Sequence, residues 1–237
     1  MILENSFGKE MMMAKIQCMA KVTEVSVLAE GIVSMWLSAS GVAKSAKPGQ
    51  FISLYCDNSD TLLPRPISLC EVNQKDGLLR IVFRIVGAGT KEFAAKEKDD
   101  EIRILGPLGN GFPLDACEKD KTAVLIGGGI GIPPLLELAK QLPCKTTVVV
   151  GYRNADAFLR EELEEAADRV VIASDDGSIG IKGTVLDAME AEGVTGDCIF
   201  SCGPTPMLRG VKQRWRAVLV PVLPVYVSQR KSTHIQK

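Results

Sequence analysis

The reading of the fold turns on residues 125–139, LIGGGIGIPPLLELA. Its front half completes TAVLIGGG (residues 122–129), a continuous apolar run of strand length that ends in glycines. Its back half opens PPLLELAKQL (133–142), a helical pattern with proline at the start, where a missing N–H does no harm. The same rhythm continues downstream. TTVVVGYR (146–153), RVVIASDD (169–176) and DCIFSCGP (197–204) read as buried strands, and FLREELEEAA (158–167) and GTVLDAMEAE (183–192) as the helices between them. Strands alternating with helices predict a parallel sheet covered by helices on both faces.

Upstream the rhythm is different. AKVTEVSVLAEGIVSMWLSA (20–39) alternates around a turn at Glu30-Gly31, and GQFISLYC (49–56) and LLRIVFRIVG (78–87) are short β-branched runs. Pro48-Gly49, Asp57-Asn58 and Asp76-Gly77 separate them as turns. Short strands at this spacing predict a small antiparallel β-barrel, with one helix, TKEFAAKEK (90–98). The expected organisation is an extension over 1–17, expected to be disordered, a β-barrel over 18–115, a linker near 115–121, an α/β domain over 121–210, and a tail over 211–237. Met11, Met12 and Met13 mark a candidate alternative start.

The chain has 237 residues, 46% of them hydrophobic and only 5% aromatic, enough for two small cores. A net charge of -1 gives no basic excess for nucleic acid. The seven cysteines show no paired spacing, which fits free thiols in a reducing compartment. No signal-peptide core or bilayer-length apolar run is present in the sequence, so a cytoplasmic protein without a membrane is expected.

Candidate sites follow from where strands end. In an open parallel sheet, ligands bind beyond the C-terminal ends of the strands. Gly127, Gly128, Gly129 and Gly131 sit at one such end, where a bare tight turn and a phosphate cradle are both open readings. The spacing departs from G-x-G-x-x-G, because Pro134 stands at the third glycine. Arg153 in GYRN, Asp175 and Asp176 in SDDGS, and Cys202 and Gly203 in CGPTPM lie at the other ends. Two carboxylates there would repel a ribose 2′-phosphate, which favours NAD over NADP. In the barrel, LLPRPISL holds Arg65 between two prolines. It reads equally as a surface arginine or as a fork for a diphosphate. Gly87, Gly89 and Thr90 lead into the helix nearby and form a second candidate anion site.

Taken in order, RPIS, GAGT, GPLGNGF, GGGIGIPP, GYRN and CGPTPML resemble the ferredoxin-NADP reductase superfamily. Within it, residues 18–208 most resemble the electron-transfer subunits of type B dihydroorotate dehydrogenases. The resemblance implies an FAD-binding barrel and an NAD-binding α/β domain. It implies that Arg65 pairs with the FAD diphosphate and that Ser68 hydrogen-bonds near the reactive flavin nitrogen. Pro66 and Ile67 share that segment. Val82, Phe83 and Arg84 would contact the flavin nucleotide, and Gly89 and Thr90 its phosphates. NAD would lie across Gly127–Gly131, with Cys202 and Gly203 near the nicotinamide. Hydride would pass directly between the two rings, so no general acid or base is nominated. The implied partner is the catalytic subunit that oxidises dihydroorotate in pyrimidine biosynthesis. Alternatives are another ferredoxin-NAD(P) reductase-like subunit, or a non-catalytic remnant.

The resemblance also implies a C-terminal segment with a C-x4-C-x2-C pattern and a later cysteine, holding a [2Fe-2S] cluster. No cysteine follows Cys202 here, so those ligands are absent and no metal residue is nominated. WRAVLVPVLPVYV (215–227), re-read out of frame with permitted third bases, can give ACGIGACLACVC, which contains the pattern. The expectation is a frameshifted copy of the cluster segment; the alternative is a terminal strand on the sheet edge.

Overall fold

In the computed structural model, the structure describes residues 15–57, 63–217 and 225–228. Six strands form the first unit: β1 (Ile16–Ala29), β2 (Ile32–Ser38), β3 (Phe51–Leu54), β4 (Arg65–Asn73), β5 (Leu78–Arg84) and β6 (Glu101–Leu108). Two short helices, α1 (Ser40–Ala43) and α2 (Ala88–Ala94), join them. The strands close as β1-β2-β5-β4-β3-β6, with every pairing antiparallel. Closure leaves no open edge. Alternation decides what faces in: Leu79, Ile81 and Phe83 of β5 fill the barrel with Leu69, Ile52 and Met35, while Val82 faces out.

The second unit is the expected α/β domain. Its strands are β7 (Thr122–Gly128), β8 (Lys145–Tyr152), β9 (Arg169–Ser174), β10 (Ile181–Lys182), β11 (Cys198–Cys202) and β12 (Val225–Ser228). Its helices are α3 (Pro133–Gln141), α4 (Arg160–Ala166), α5 (Val185–Ala191) and α6 (Thr205–Ala217). The sheet is parallel, in the order β10-β9-β8-β7-β11-β12. Alternate residues of β7 serve opposite faces. Ala123 and Leu125 pack toward Leu135, Leu136 and Leu163 of α3 and α4; Val124 and Ile126 pack toward Ala188, Met189 and Val211 of α5 and α6. This explains the unbroken apolar strands: both faces are buried.

The α3 face also carries the junction between the units. Ile32, Cys70 and Val82 from the outside of the barrel belong to the same apolar cluster as Leu135 and Leu136. Ionic contacts flank this seam. Arg80 binds Glu71 at 2.5 Å within the barrel and Glu162 of α4 at 3.4 Å, and Lys140 of α3 pairs with Glu71.

Some boundaries move. Ile16 and Gln17 already belong to β1, paired with Gly106 and Leu105, and the disorder expected further upstream lies outside the described residues. α6 runs on to Ala217, past the expected domain end at 210. Most of the tail, 218–224 and 229–237, lies outside the described residues as well. Val225–Ser228 pair in parallel with β11 at the sheet edge, where the terminal-strand reading puts them.

Candidate functional site

The strand order reverses between β7 and β11: the chain goes from β7 outward to β8 and β9, and later returns to the other side. At such a switch point the loops above neighbouring strands part and leave a crevice. A cleft of about 990 Å³ opens there, and the barrel forms its opposite wall. Gly128, Gly129, Gly131, Arg153, Asp175, Cys202 and Gly203 line the sheet side, and Ser68 and Arg84 the barrel side. The structure thus brings together nine of the residues nominated from the sequence, from two units that are remote along the chain.

The glycines at this end have separate jobs. A Cβ on Gly131 would lie 2.3 Å from the carbonyl oxygen of Cys202, so that turn and the end of β11 are in backbone contact. A Cβ on Gly127 would lie 2.9 Å from Cδ1 of Leu135, which makes this residue a packing position beneath α3. Gly129 has φ +52° and open space where a side chain would go, so the backbone is bare toward the cleft. Gly127 is therefore structural, while Gly128, Gly129 and Gly131 form the lip.

The two acidic candidates also separate. Asp175 lines the cleft. Asp176 folds into its own turn: its carboxylate accepts from the Ser178 hydroxyl at 2.6 Å and the Ser178 N–H at 2.9 Å. Those hydrogen bonds, the hydroxyl's first, hold its carboxyl below the usual aspartate range.

Several barrel candidates lie away from the cleft. The side chains of Ile67 and Phe83 are inside the barrel core and that of Val82 is in the junction. These positions can offer a ligand only their backbones. Pro66 is exposed at the start of β4. Arg65 and Gly89 meet elsewhere: a Cβ on Gly89 would lie 3.0 Å from Nε of Arg65 and 2.9 Å from Sγ of Cys56. The missing side chain keeps the ground in front of the guanidinium clear. Arg65 also donates to the Leu63 carbonyl at 2.5 Å, which orients the fork. Thr90 is committed to its loop, because its hydroxyl accepts from Val86 and Gly87 N–H and donates to the Gly87 carbonyl. It shapes the Gly87–Gly89 turn.

Sequence reasoning missed three supports. The β1–β2 hairpin places Ala29, Glu30 and Ile32 on the cleft wall, a placement that depends on how the two units pack. Tyr152 donates its hydroxyl to the Phe158 carbonyl at 2.9 Å, which pins the loop carrying Arg153. Burial pushes that phenol well above its ordinary range, so it stays a donor. Thr184 and Asp187 cap α5 reciprocally: the Thr184 N–H donates to the carboxylate at 2.7 Å, and the Asp187 N–H to the hydroxyl at 3.3 Å. The T-x-x-D spacing was the available signal.

The cysteines do not fit an iron-sulfur cluster. Five of the seven are buried. Cys117, Cys144 and Cys198 belong to one buried apolar cluster, where burial pushes Cys117 up to about 12 and Cys144 up to about 11. Among the described residues no group of three or more His, Cys, Asp or Glu could hold a metal ion. No helix among the described residues is long and apolar enough to cross a membrane.

No protein-family model matches the chain. Among curated proteins, it is 42% identical over 206 residues to the "Dihydroorotate dehydrogenase B (NAD(+)), electron transfer subunit" of Geobacillus kaustophilus, covering 85% of this chain and 78% of that one. The protein of the same description from Bacillus caldolyticus matches at 42% identity with the same coverage. Among solved structures, an NADH-dependent reduced ferredoxin-NADP oxidoreductase aligns with TM-score 0.79 and 28% identity over 90% of this chain and 76% of its own. A ferredoxin NADP+ reductase from Neisseria gonorrhoeae, solved with FAD and NADP, shares the fold at TM-score 0.74 and 16% identity, over 90% of this chain and 98% of its own.

Proposed function

The chain belongs to the family of dihydroorotate dehydrogenase B electron transfer subunits, and on that premise we propose that it is an FAD-dependent, NAD-linked oxidoreductase subunit. It passes electrons between NAD and a catalytic subunit that oxidises dihydroorotate in pyrimidine biosynthesis. The observation that carries the reading is the cleft, which sets the switch-point loops of a parallel sheet against the end of a closed barrel.

A bound flavin supplies the ring that accepts or returns a hydride. The chain's own residues do the placing. Arg65 forks onto the diphosphate of FAD, and Gly89 leaves the room for it. Ser68 and Arg84 present polar groups from the barrel wall to the flavin side of the cleft. Gly128, Gly129 and Gly131 offer bare backbone to the NAD diphosphate, and Cys202 and Gly203 border the nicotinamide. Asp175 accepts from ribose hydroxyls and repels a 2′-phosphate, which selects NAD. Two units that close on one cleft exclude water and hold both rings in one orientation.

The cysteines favour a second reading of the coupling step. On that reading, residues 15–217, whose own cysteines form no metal-binding group, exchange hydride with NAD, and the relay to the partner needs ligands from elsewhere. A frameshift over 215–227 is the proposed reason that no cysteine stands there. The nucleotide sequence tests it: codons that yield no cysteines there in any frame end the idea. The functional reading is tested by co-expression with a dihydroorotate-oxidising subunit. Flavin retained by this chain and co-elution of the two proteins support it. A chain that takes up no FAD on reconstitution overturns it.

A further inference from the structure

Outside the cleft, the most developed polar cluster lies on the seam between the two units, centred on Arg80. Arg80 is buried, at 9% exposure, and each side of its fork is used. Its Nε donates to the Ser34 hydroxyl at 2.9 Å, one terminal nitrogen to Glu71 at 2.5 Å, and the other to Glu162 of α4 at 3.4 Å. Its Cζ stands 5.9 Å from the ring centroid of Trp36, its cross-strand partner on β2. The second oxygen of Glu71 accepts from Lys140 of α3. One residue along β4, the Val72 N–H donates to Glu137 of α3 at 2.9 Å. Barrel strands β4 and β5 are thereby tied to both helices on one face of the sheet.

The position of this cluster along β5 is what gives it a consequence. Arg80, Val82 and Arg84 share the outer face of the strand, each step about 6.6 Å along it. Arg84 lines the cleft, Val82 packs in the apolar seam with Leu135 and Leu136, and Arg80 closes the far end. On β4, Ser68 lines the cleft, Cys70 packs in the seam, and Glu71 binds Arg80. The two strands form a rigid lever with the cleft at one end and the ion network at the other. A tilt permitted at Arg80 appears as displacement at Ser68 and Arg84.

We propose that Arg80 is a positioning residue: through Glu71, Lys140 and Glu162 it fixes the angle between the barrel and the α/β domain, and so the approach of the two rings across the cleft. An apolar seam alone resists separation but tolerates sliding, because dispersion and hydrophobic contact have no direction. A forked guanidinium bonded to both units fixes direction as well as distance. The inference rests on the nucleotide assignment proposed above.

The test cuts the links from Arg80 and Glu71 to the second unit and spares the pair inside the barrel. Lys140→Met with Glu162→Gln removes both second-domain partners, whose side chains are 41% and 38% exposed, so the fold survives. Arg80→Lys keeps the charge and loses the fork. Two readouts are taken: hydrogen exchange at the Val72 amide in the nucleotide-free chain, and the anaerobic rate of flavin reduction by NADH after FAD loading. In the double variant the Val72 amide should exchange at least about tenfold faster, and reduction should slow by about 10- to 100-fold, the range expected for a misplacement near 1 Å. The NADH concentration at half-maximal rate should stay within about twofold, since binding surfaces are intact. Arg80→Lys should fall between. Unchanged Val72 protection, or an unchanged reduction rate whatever the melting temperature does, overturns the proposal. If the unaltered chain loaded with FAD is not reduced by NADH, it is the functional reading that fails, and Val72 exchange then decides the domain clamp by itself.

Discussion

Gly131 and Cys202 touch through their backbones: the place where a Cβ of Gly131 would stand is 2.3 Å from the Cys202 carbonyl oxygen and 2.5 Å from its carbonyl carbon. The turn after β7 and the end of β11 thus meet with no side chain between them. That contact holds the two lips of the switch-point crevice at a fixed spacing.

The first prediction follows from this contact. In Gly131→Ala the methyl group meets backbone, which cannot swing aside as a flexible side chain can. Overpacking of this kind costs about 1–3 kcal/mol. It should appear as NADH binding weakened by about tenfold or more, with the barrel and its flavin content unchanged. Titration with NADH at constant flavin occupancy checks it.

The second separates two neighbouring carboxylates. Asp175 faces the cleft, whereas Asp176 is spent on Ser178. Asp175→Asn should move the NADH-to-NADPH ratio of kcat/KM toward NADPH by about tenfold, some 1.4 kcal/mol. Asp176→Asn should leave that ratio unchanged and act only on the stability of its turn. Steady-state kinetics with both nucleotides gives the answer.

The third concerns flavin retention. Loss of a charge-assisted fork costs about 1.5–3 kcal/mol, so Arg65→Ala should bind FAD about 10- to 100-fold more weakly. Gly89→Val should do the same by filling the ground 3.0 Å from Nε of Arg65. Flavin carried through gel filtration is the measurement.

The fourth is a pH dependence with opposing signs. Burial pushes the Glu71 carboxyl up, but hydrogen bonds from Lys140 and Arg80 outweigh it and hold it below the ordinary 4.5. A lowered carboxyl contributes stability above pH 4.5 and loses it as pH falls through the folded value. Glu137 is the reverse: burial, the largest influence, raises it above 4.5 despite the Val72 N–H and Gln141. Its contribution is full below pH 4.5 and is lost as pH rises through the folded value. Glu71→Gln should therefore lower the melting temperature at pH 7, and the difference from the parent chain should shrink below pH 4.5. Thermal melts across that window check both direction and range.

Much of this molecule was legible in its sequence, and the reason differs by element. The parallel sheet announced itself through unbroken apolar runs such as TAVLIGG, because strands buried on both faces leave no polar position. Glycine clusters marked the strand ends correctly, but their division of labour did not show. Whether Gly127 meets a ligand or Leu135 depends on where α3 lands. The roles of Asp175 and Asp176 are equally hidden, since two turn hydrogen bonds from Ser178 decide between them. Position in a motif points to Ile67 and Phe83, whose side chains lie in the barrel core. The Arg80 cluster left no local signal at all. Its members come from β4, β5, α3 and α4, and only packing of the finished units brings them together.

The proposed activity is hydride transfer between NAD and a flavin held in one cleft. The visible spectrum of the FAD-loaded chain under nitrogen, before and after NADH, tests it most directly. Flavin absorption should bleach on adding NADH, with no additional red absorbance from a cluster. Flavin absorption that NADH leaves unchanged would contradict the claim, and red absorbance that bleaches would contradict the reading of the cysteines.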